Sequence, residues 1–184
     1  LGQGLMSAKP VPSMEGGDLA PPVQPVTPPY WDEACKHLSK RDRVMRKLIA
    51  DHGLARLYSR GDAFTTLARS IVGQQISVKA AQSVWGKLLV LVGQDPEEAR
   101  RPLGVEDLLS RTPEVLRTAG LSARKVDYLQ DLARHFADGK VHVDQWSDMP
   151  DEGIIEELID IRGIGRWTAE MFLIFHLMRA NVLP

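Results

Sequence analysis

Ile161–Ala169 reads "IRGIGRWTA". Two glycines stand two residues apart, each beside an isoleucine, between two apolar helical runs. Glycine lacks a Cβ, so it can take positive φ and let the backbone come close to another surface. A helix that begins just after such a turn, near Arg166, presents unpaired N–H groups and the positive end of its dipole. Together these features form a backbone cradle for one phosphate. A bare G-x-G would be read as a tight connection between helices, with no ligand. The longer run "LIDIRGIGRWTAEMF" has a helix on each side and isoleucines at both flanks, which specifies a helix-hairpin-helix. Ile161 and Ile164 are expected to anchor the turn to the core.

Working outward, the rest of the chain reads as helices with short connections. Pro150 opens the helix before the turn, with Ile154, Ile155, Leu158 and Ile159 as its apolar positions. The helix after it runs from about Arg166 to Leu177. Upstream, Ser122 begins a run through Val126, Leu129, Leu132 and Phe136 that stops at Gly139. Thr112-Pro113-Glu114 is a helix start with proline at its first position, and Gly120 is a natural stop. Ser77 caps a helix carrying Ala81, Val84, Trp85, Leu88 and Leu89. Before it, "GQQIS" interrupts an apolar face made by Phe64, Leu67, Ala68, Ile71 and Val72. Ser39 with Asp42 predicts a capping box ahead of "RVMRKLIADHG", which Gly53 can end. "KVHVDQW" alternates too briefly for a strand. The fold class is all-α.

Residues 1–29 differ. They are rich in Pro and Gly, bury too little apolar surface to fold alone, and are expected to form a disordered tail ahead of a helical domain at 30–184. The chain has 184 residues and a formal net charge of −1, so bulk charge does not draw it to nucleic acid. Any DNA contact must then be local, and a hairpin cradle suits a nearly neutral protein. One cysteine, Cys35, allows no intramolecular disulfide and no cysteine-ligated cluster within these residues. It fits a reducing cytoplasm, with nucleoid association if the source is bacterial. No run approaches the roughly 20 apolar residues of a membrane span, and no membrane partner is expected.

Three segments carry a family resemblance: "SIVGQQISVKAA" (Ser70–Ala81), "GLSARKVDYLQDLA" (Gly120–Ala133) and "LIDIRGIGRWTAEMFLIF" (Leu158–Phe175). In order and spacing they resemble the helix-hairpin-helix DNA glycosylases, and within them the 3-methyladenine DNA glycosylase II group in its compact form. The resemblance covers roughly Tyr30 to Pro184, with the hairpin motif at 158–175. It implies a monofunctional glycosylase of base-excision repair, excising alkylated purines by base flipping and hydrolysis of the N-glycosidic bond. The implied partner is double-stranded DNA with a damaged base, bound by a monomer.

Roles follow position by position from that resemblance. The N–H groups of Gly163, Gly165 and Thr168 would hold a DNA phosphate. The carbonyls of Ile159, Ile161 and Ile164 would coordinate a structural Na⁺ or K⁺ ion; no other cofactor is required, and no iron-sulfur cluster is visible in these residues. Gln75, with Gln74 beside it, would plug the gap left by the extruded base; both could instead merely end a helix. Trp167 stands where related glycosylase-lyases of the endonuclease III type carry a lysine, so Schiff-base chemistry by that amine is excluded. Its indole would wall the pocket and stack on an electron-poor alkylated base, or serve the core, or do both with one face buried and the other meeting the base. Tyr30, Trp31, Met171 and Phe172 are further pocket candidates, each of which could instead belong to the core or the rim. Lys79, Arg124, Lys125 and Arg166 could contact phosphates or remain solvated surface charges. The family's catalytic Asp follows an aliphatic-Pro step. Here that step is Asn181–Pro184, "NVLP", so the Asp is expected just after Pro184 and is not in the sequence. The closing C-terminal helices are also missing from it. A chain ending there is expected to be inactive and to expose apolar surface. Neither Asp160 nor Glu170 matches the pattern. Two alternatives stay open: a glycosylase for deaminated or oxidised bases, and a non-catalytic helix-hairpin-helix DNA-binding module.

Overall fold

The computed structural model describes residues 27–53, 55–59, 61–96 and 101–184. Most of the expected N-terminal tail lies outside them. Among the described residues nine α-helices follow in order: α1 (Trp31–Arg41), α2 (Arg43–Asp51), α3 (Ala63–Gly73), α4 (Val78–Leu91), α5 (Val105–Leu109), α6 (Pro113–Arg117), α7 (Ala123–Ala137), α8 (Asp151–Ile159) and α9 (Arg166–Phe175). No strand occurs among the described residues, and the "KVHVDQW" segment holds a single 3₁₀ turn at Val143–Gln145. No helix among them is long and apolar enough to cross a membrane.

Helix α7 is the hub. It packs against α3, α5 and α6, while α8 packs on α9. Val126, Leu129, Leu132 and Ala133 lie on its buried face at helical spacing. They meet the buried stripe Phe64, Leu67, Ala68, Ile71 and Val72 of α3 in one core. Each buried leucine contributes about 1.5–3 kcal/mol over its exposed state. Phe64 meets Phe136 edge-on at 5.1 Å, and Trp146 meets Phe172 at 5.5 Å.

The local starts are mostly where side-chain chemistry puts them. Ser77, Thr112 and Ser122 each accept a backbone N–H three residues on. One start differs. Asp42, in extended conformation, caps α2 by itself, accepting from Val44 and Met45 at 2.7 and 2.9 Å. Ser39 lies inside α1 and contributes only its carbonyl, to Arg46. A carboxylate next to the first turn reaches two amides, which leaves a capping box nothing to add. Helix α5 has little apolar periodicity to announce it. It is held by Asp107, which accepts from Gly104 N–H at 2.7 Å and pairs with Arg101. Two end positions also depart from the expectation. Ile159 is 44% exposed, because the last residue of α8 turns off the core face. Helix α9 stops at Phe175, two residues early, where Leu177 N–H returns to the Phe172 carbonyl and Met178 takes φ +58°.

Candidate nucleic-acid interface

The turn between α8 and α9 is built as its glycines suggest, but the two do different work. Ile164 N–H donates to the Ile161 carbonyl at 3.1 Å, and Gly163, at the third position of that turn, has φ +87°. This is a type II turn, whose third residue needs positive φ. A Cβ on Gly163 would stand 2.2 Å from the Tyr128 ring, so the ring also demands glycine. Gly165 has φ −91° and ψ 170°, ordinary extended backbone, and a Cβ there would meet nothing within 4 Å. Its glycine leaves open space at the start of α9 rather than satisfying the fold. Ile161 and Ile164 are buried, as the anchoring reading requires.

Helix α9 begins without a side-chain cap. Among the described residues, the amides of Gly163, Gly165 and Thr168 donate to no protein acceptor. They therefore stay available, at the positive end of a ten-residue helix, for an anion from outside. Likewise no N–H donates to the carbonyls of Ile159 or Ile164 among those residues, whereas that of Ile161 already takes the Ile164 amide.

The loop between α3 and α4 lies against this hairpin. Gln74 Nε2 donates to the Gly163 carbonyl at 2.7 Å. Gln75 is exposed and has φ +57°, a left-handed conformation that costs a non-glycine residue about 1–2 kcal/mol. Such strain persists only where surrounding structure enforces it. Gln75 thus projects into solvent. Gln74, expected beside it, turns its amide inward.

One face of α7 braces both loops, a feature that the sequence reading missed. Lys125 Nζ donates to the Val72 carbonyl at 2.7 Å, near the end of α3. Burial pushes its ammonium below the ordinary lysine range. Tyr128 packs under Gly163. Asp131 accepts the Arg162 amide at 2.9 Å, and buried His135 reaches Asp160 at 3.0 Å. The signal was present as spacing, since positions 125, 128, 131 and 135 share one helical face. Polar side chains on a face that is not the core face look solvated until their partners are seen.

The remaining candidates divide. Trp167 is 67% exposed in the first turn of α9, so it is not a core residue. Met171, four residues on, lies half-buried on the same side of the helix. Tyr30 and Trp31 are half-buried at the start of α1, and the Tyr30 hydroxyl is 3.5 Å from the carbonyl of Arg179, in the segment that follows α9. Phe172 is core, stacked on His176. Lys79 and Arg124 are exposed and make no ion pair among the described residues. Arg166 is engaged: it forms a two-pronged pair with Glu152 at 2.7 and 2.6 Å and touches Glu170 at 3.1 Å. The Glu152 partner raises its pKa above the ordinary arginine value.

The hairpin, the neighbouring loop and the helix that braces them fall within residues 68–170, which match the model of the HhH-GPD superfamily base excision DNA repair proteins. The chain belongs to that superfamily. Among relatives of this HhH-GPD protein is DNA-3-methyladenine glycosylase 1 of Schizosaccharomyces pombe, 32% identical over 154 residues, or 80% of this chain and 64% of the relative. Another, the DNA-3-methyladenine glycosylase of Saccharomyces cerevisiae, is 31% identical over 83% of this chain and 54% of its own length. The chain thus spans between half and two thirds of these relatives. Among solved structures, the DNA-3-methyladenine glycosidase of Bacillus halodurans superimposes with a TM-score of 0.69 at 31% identity, covering 88% of this chain and 71% of that one. The S. pombe 3-methyladenine DNA glycosylase in complex with abasic DNA gives 0.63 at 30% identity, covering 83% and 73%.

Proposed function

We propose that this HhH-GPD protein acts in base-excision repair as a monofunctional glycosylase for alkylated purines, of the 3-methyladenine and 7-methylguanine type. The observation that carries this reading is Trp167, held two-thirds exposed one residue into an uncapped helix whose amides are free for a phosphate. A phosphate on Gly163, Gly165 and Thr168 would fix the strand, and the indole would then stand beside the same strand. Duplex DNA must give up the target base for chemistry to reach it. Gln75, exposed on the neighbouring loop, would enter the gap and hydrogen-bond the widowed partner base. An alkylated purine carries positive charge, and an indole face attracts it by stacking and cation–π contact. The names of the relatives, 3-methyladenine glycosylases from fungi and bacteria, support the same substrate class.

Hydrolysis adds water at the sugar C1′ while the base departs with the glycosidic electron pair. The sugar passes through oxocarbenium character, which a nearby carboxylate stabilises. By the family resemblance that carboxylate would be an Asp that follows an aliphatic-Pro step, whose counterpart here is Val182-Leu183-Pro184. The carboxylates flanking the hairpin are otherwise engaged, Asp160 with His135 and Glu170 with Arg166. A Na⁺ or K⁺ ion would be held by the carbonyls of Ile159, Ile161 and Ile164, two of which accept no N–H. It would add positive charge beside the phosphate.

The test is release of free base from duplexes containing 3-methyladenine, 7-methylguanine, hypoxanthine or 8-oxoguanine. Preferential release of the methylated purines is expected. Preferential release of hypoxanthine or 8-oxoguanine would transfer the activity to deaminated or oxidised bases. Binding without any release would leave a DNA-binding module.

A further inference from the structure

We propose that Gln74 is a positioning residue that sets the distance between the base-gap side chain and the phosphate cradle. The inference rests on the DNA reading above and deepens it. The two DNA-facing loops come from parts of the chain 89 residues apart, and a 2.7 Å hydrogen bond from Gln74 Nε2 to the Gly163 carbonyl joins them directly. Its acceptor belongs to the residue whose N–H has no acceptor among the described residues and would form part of the cradle. Its donor belongs to the residue immediately before Gln75, which is held in the left-handed region.

The bond therefore ties a strained, exposed side chain to the group that grips the backbone. Gln74 ends α3 with φ −57° and ψ 131°, and its own N–H returns to the Ile71 carbonyl. With its main chain tied to α3 and its side-chain amide to the hairpin, little rotational freedom passes on to Gln75. A side chain that must enter a base gap while the hairpin holds a phosphate needs that offset fixed beforehand. Lys125 and Tyr128 brace the two loops through α7, but neither joins them directly.

The consequence is specific. Loss of the Gln74 amide should impair recognition of a gap in the duplex while leaving backbone grip largely intact. The test compares binding of an undamaged duplex with that of the same duplex carrying a tetrahydrofuran abasic-site analogue opposite 2-aminopurine. Gln74→Leu removes the donor at similar volume. Gln74→Asn keeps an amide one methylene too short to reach, and serves if the leucine variant does not fold. Either is expected to reduce the preference for the abasic duplex about tenfold, change affinity for undamaged duplex less than twofold, and diminish the 2-aminopurine fluorescence change. In a Gln75→Ala background the same substitution is expected to change the preference less than twofold, because the side chain it positions is gone. An equal loss of affinity for both duplexes overturns the proposal, as does a tenfold effect that persists without Gln75, or no effect at all. Failure of the unmodified protein to bind either duplex would instead overturn the DNA reading itself.

Discussion

Gly163→Ala tests the hairpin more sharply than any other single change. Two costs are visible. The residue has φ +87°, where an L side chain loses about 1–2 kcal/mol. The new Cβ would lie 2.2, 2.4 and 2.7 Å from Cδ2, Cγ and Cε2 of Tyr128, far inside contact distance. Those atoms are the near edge of a ring on a core helix, so the ring or the turn must move, adding about 1–3 kcal/mol. The sum is about 3 kcal/mol, or a fall of roughly 6–12 °C in Tm for a domain of this size. Urea denaturation measures it directly. A second background separates the parts: in Tyr128→Ala the steric cost disappears, and Gly163→Ala should then cost only about 1–2 kcal/mol. Duplex binding should weaken in both backgrounds, since the N–H of residue 163 is re-aimed. Gly165→Ala is the counterpart. Nothing lies within 4 Å of its Cβ and its φ is ordinary, so stability should change by less than about 0.5 kcal/mol. DNA affinity should still fall, because the methyl group stands where a phosphate would approach. Equal stability of Gly163→Ala and wild type, with unchanged DNA affinity, would refute the hairpin reasoning.

Other outcomes follow from particular contacts. Trp167→Ala should leave Tm within about 2 °C, since the indole is 67% exposed, yet under the proposed function it should lower excision of 3-methyladenine about 5- to 100-fold through lost stacking; unaltered excision kinetics would remove the indole from the pocket. Glu152→Gln should release Arg166 from its two-pronged pair, so that duplex affinity falls more steeply with salt, by up to about 0.9 in the log–log slope; an unchanged slope means that Arg166 does not reach phosphate. Burial pushes the Glu157 carboxyl up, but the hydrogen bonds from Trp146 and His142 outweigh it and leave its pKa below the ordinary 4.5. A carboxyl with a lowered folded pKa gives stability that is present above about pH 4.5 and disappears as pH falls through the folded value. Wild type should therefore exceed Glu157→Gln by about 1 kcal/mol at neutral pH, and the two should converge in acid; parallel urea-unfolding curves between pH 3 and 7 would contradict the assignment.

The sequence by itself determined the helices that are amphipathic and capped, and it determined the hairpin. In α3, α4, α7 and α8 the buried residues recur at helical spacing, and Asp62, Ser77, Ser122 and Pro150 mark the starts. Ile161, Gly163 and Ile164 specify a turn locally, because positive φ and apolar anchoring are properties of those residues alone. Helix α5 and the true cap of α2 were harder to read, since single carboxylates fix them rather than a pattern. Only the tertiary structure decided how the candidate site is assembled. The bond from Gln74 to Gly163 spans 89 residues, and whether Trp167 lies in the core or in solvent depends on what packs around α9. Lys125 and Arg166 looked like free cations until burial and a facing glutamate claimed them. Backbone preferences are local and leave a local trace in the chain. Partners of polar side chains are chosen by three-dimensional proximity, and no short stretch of sequence encodes that.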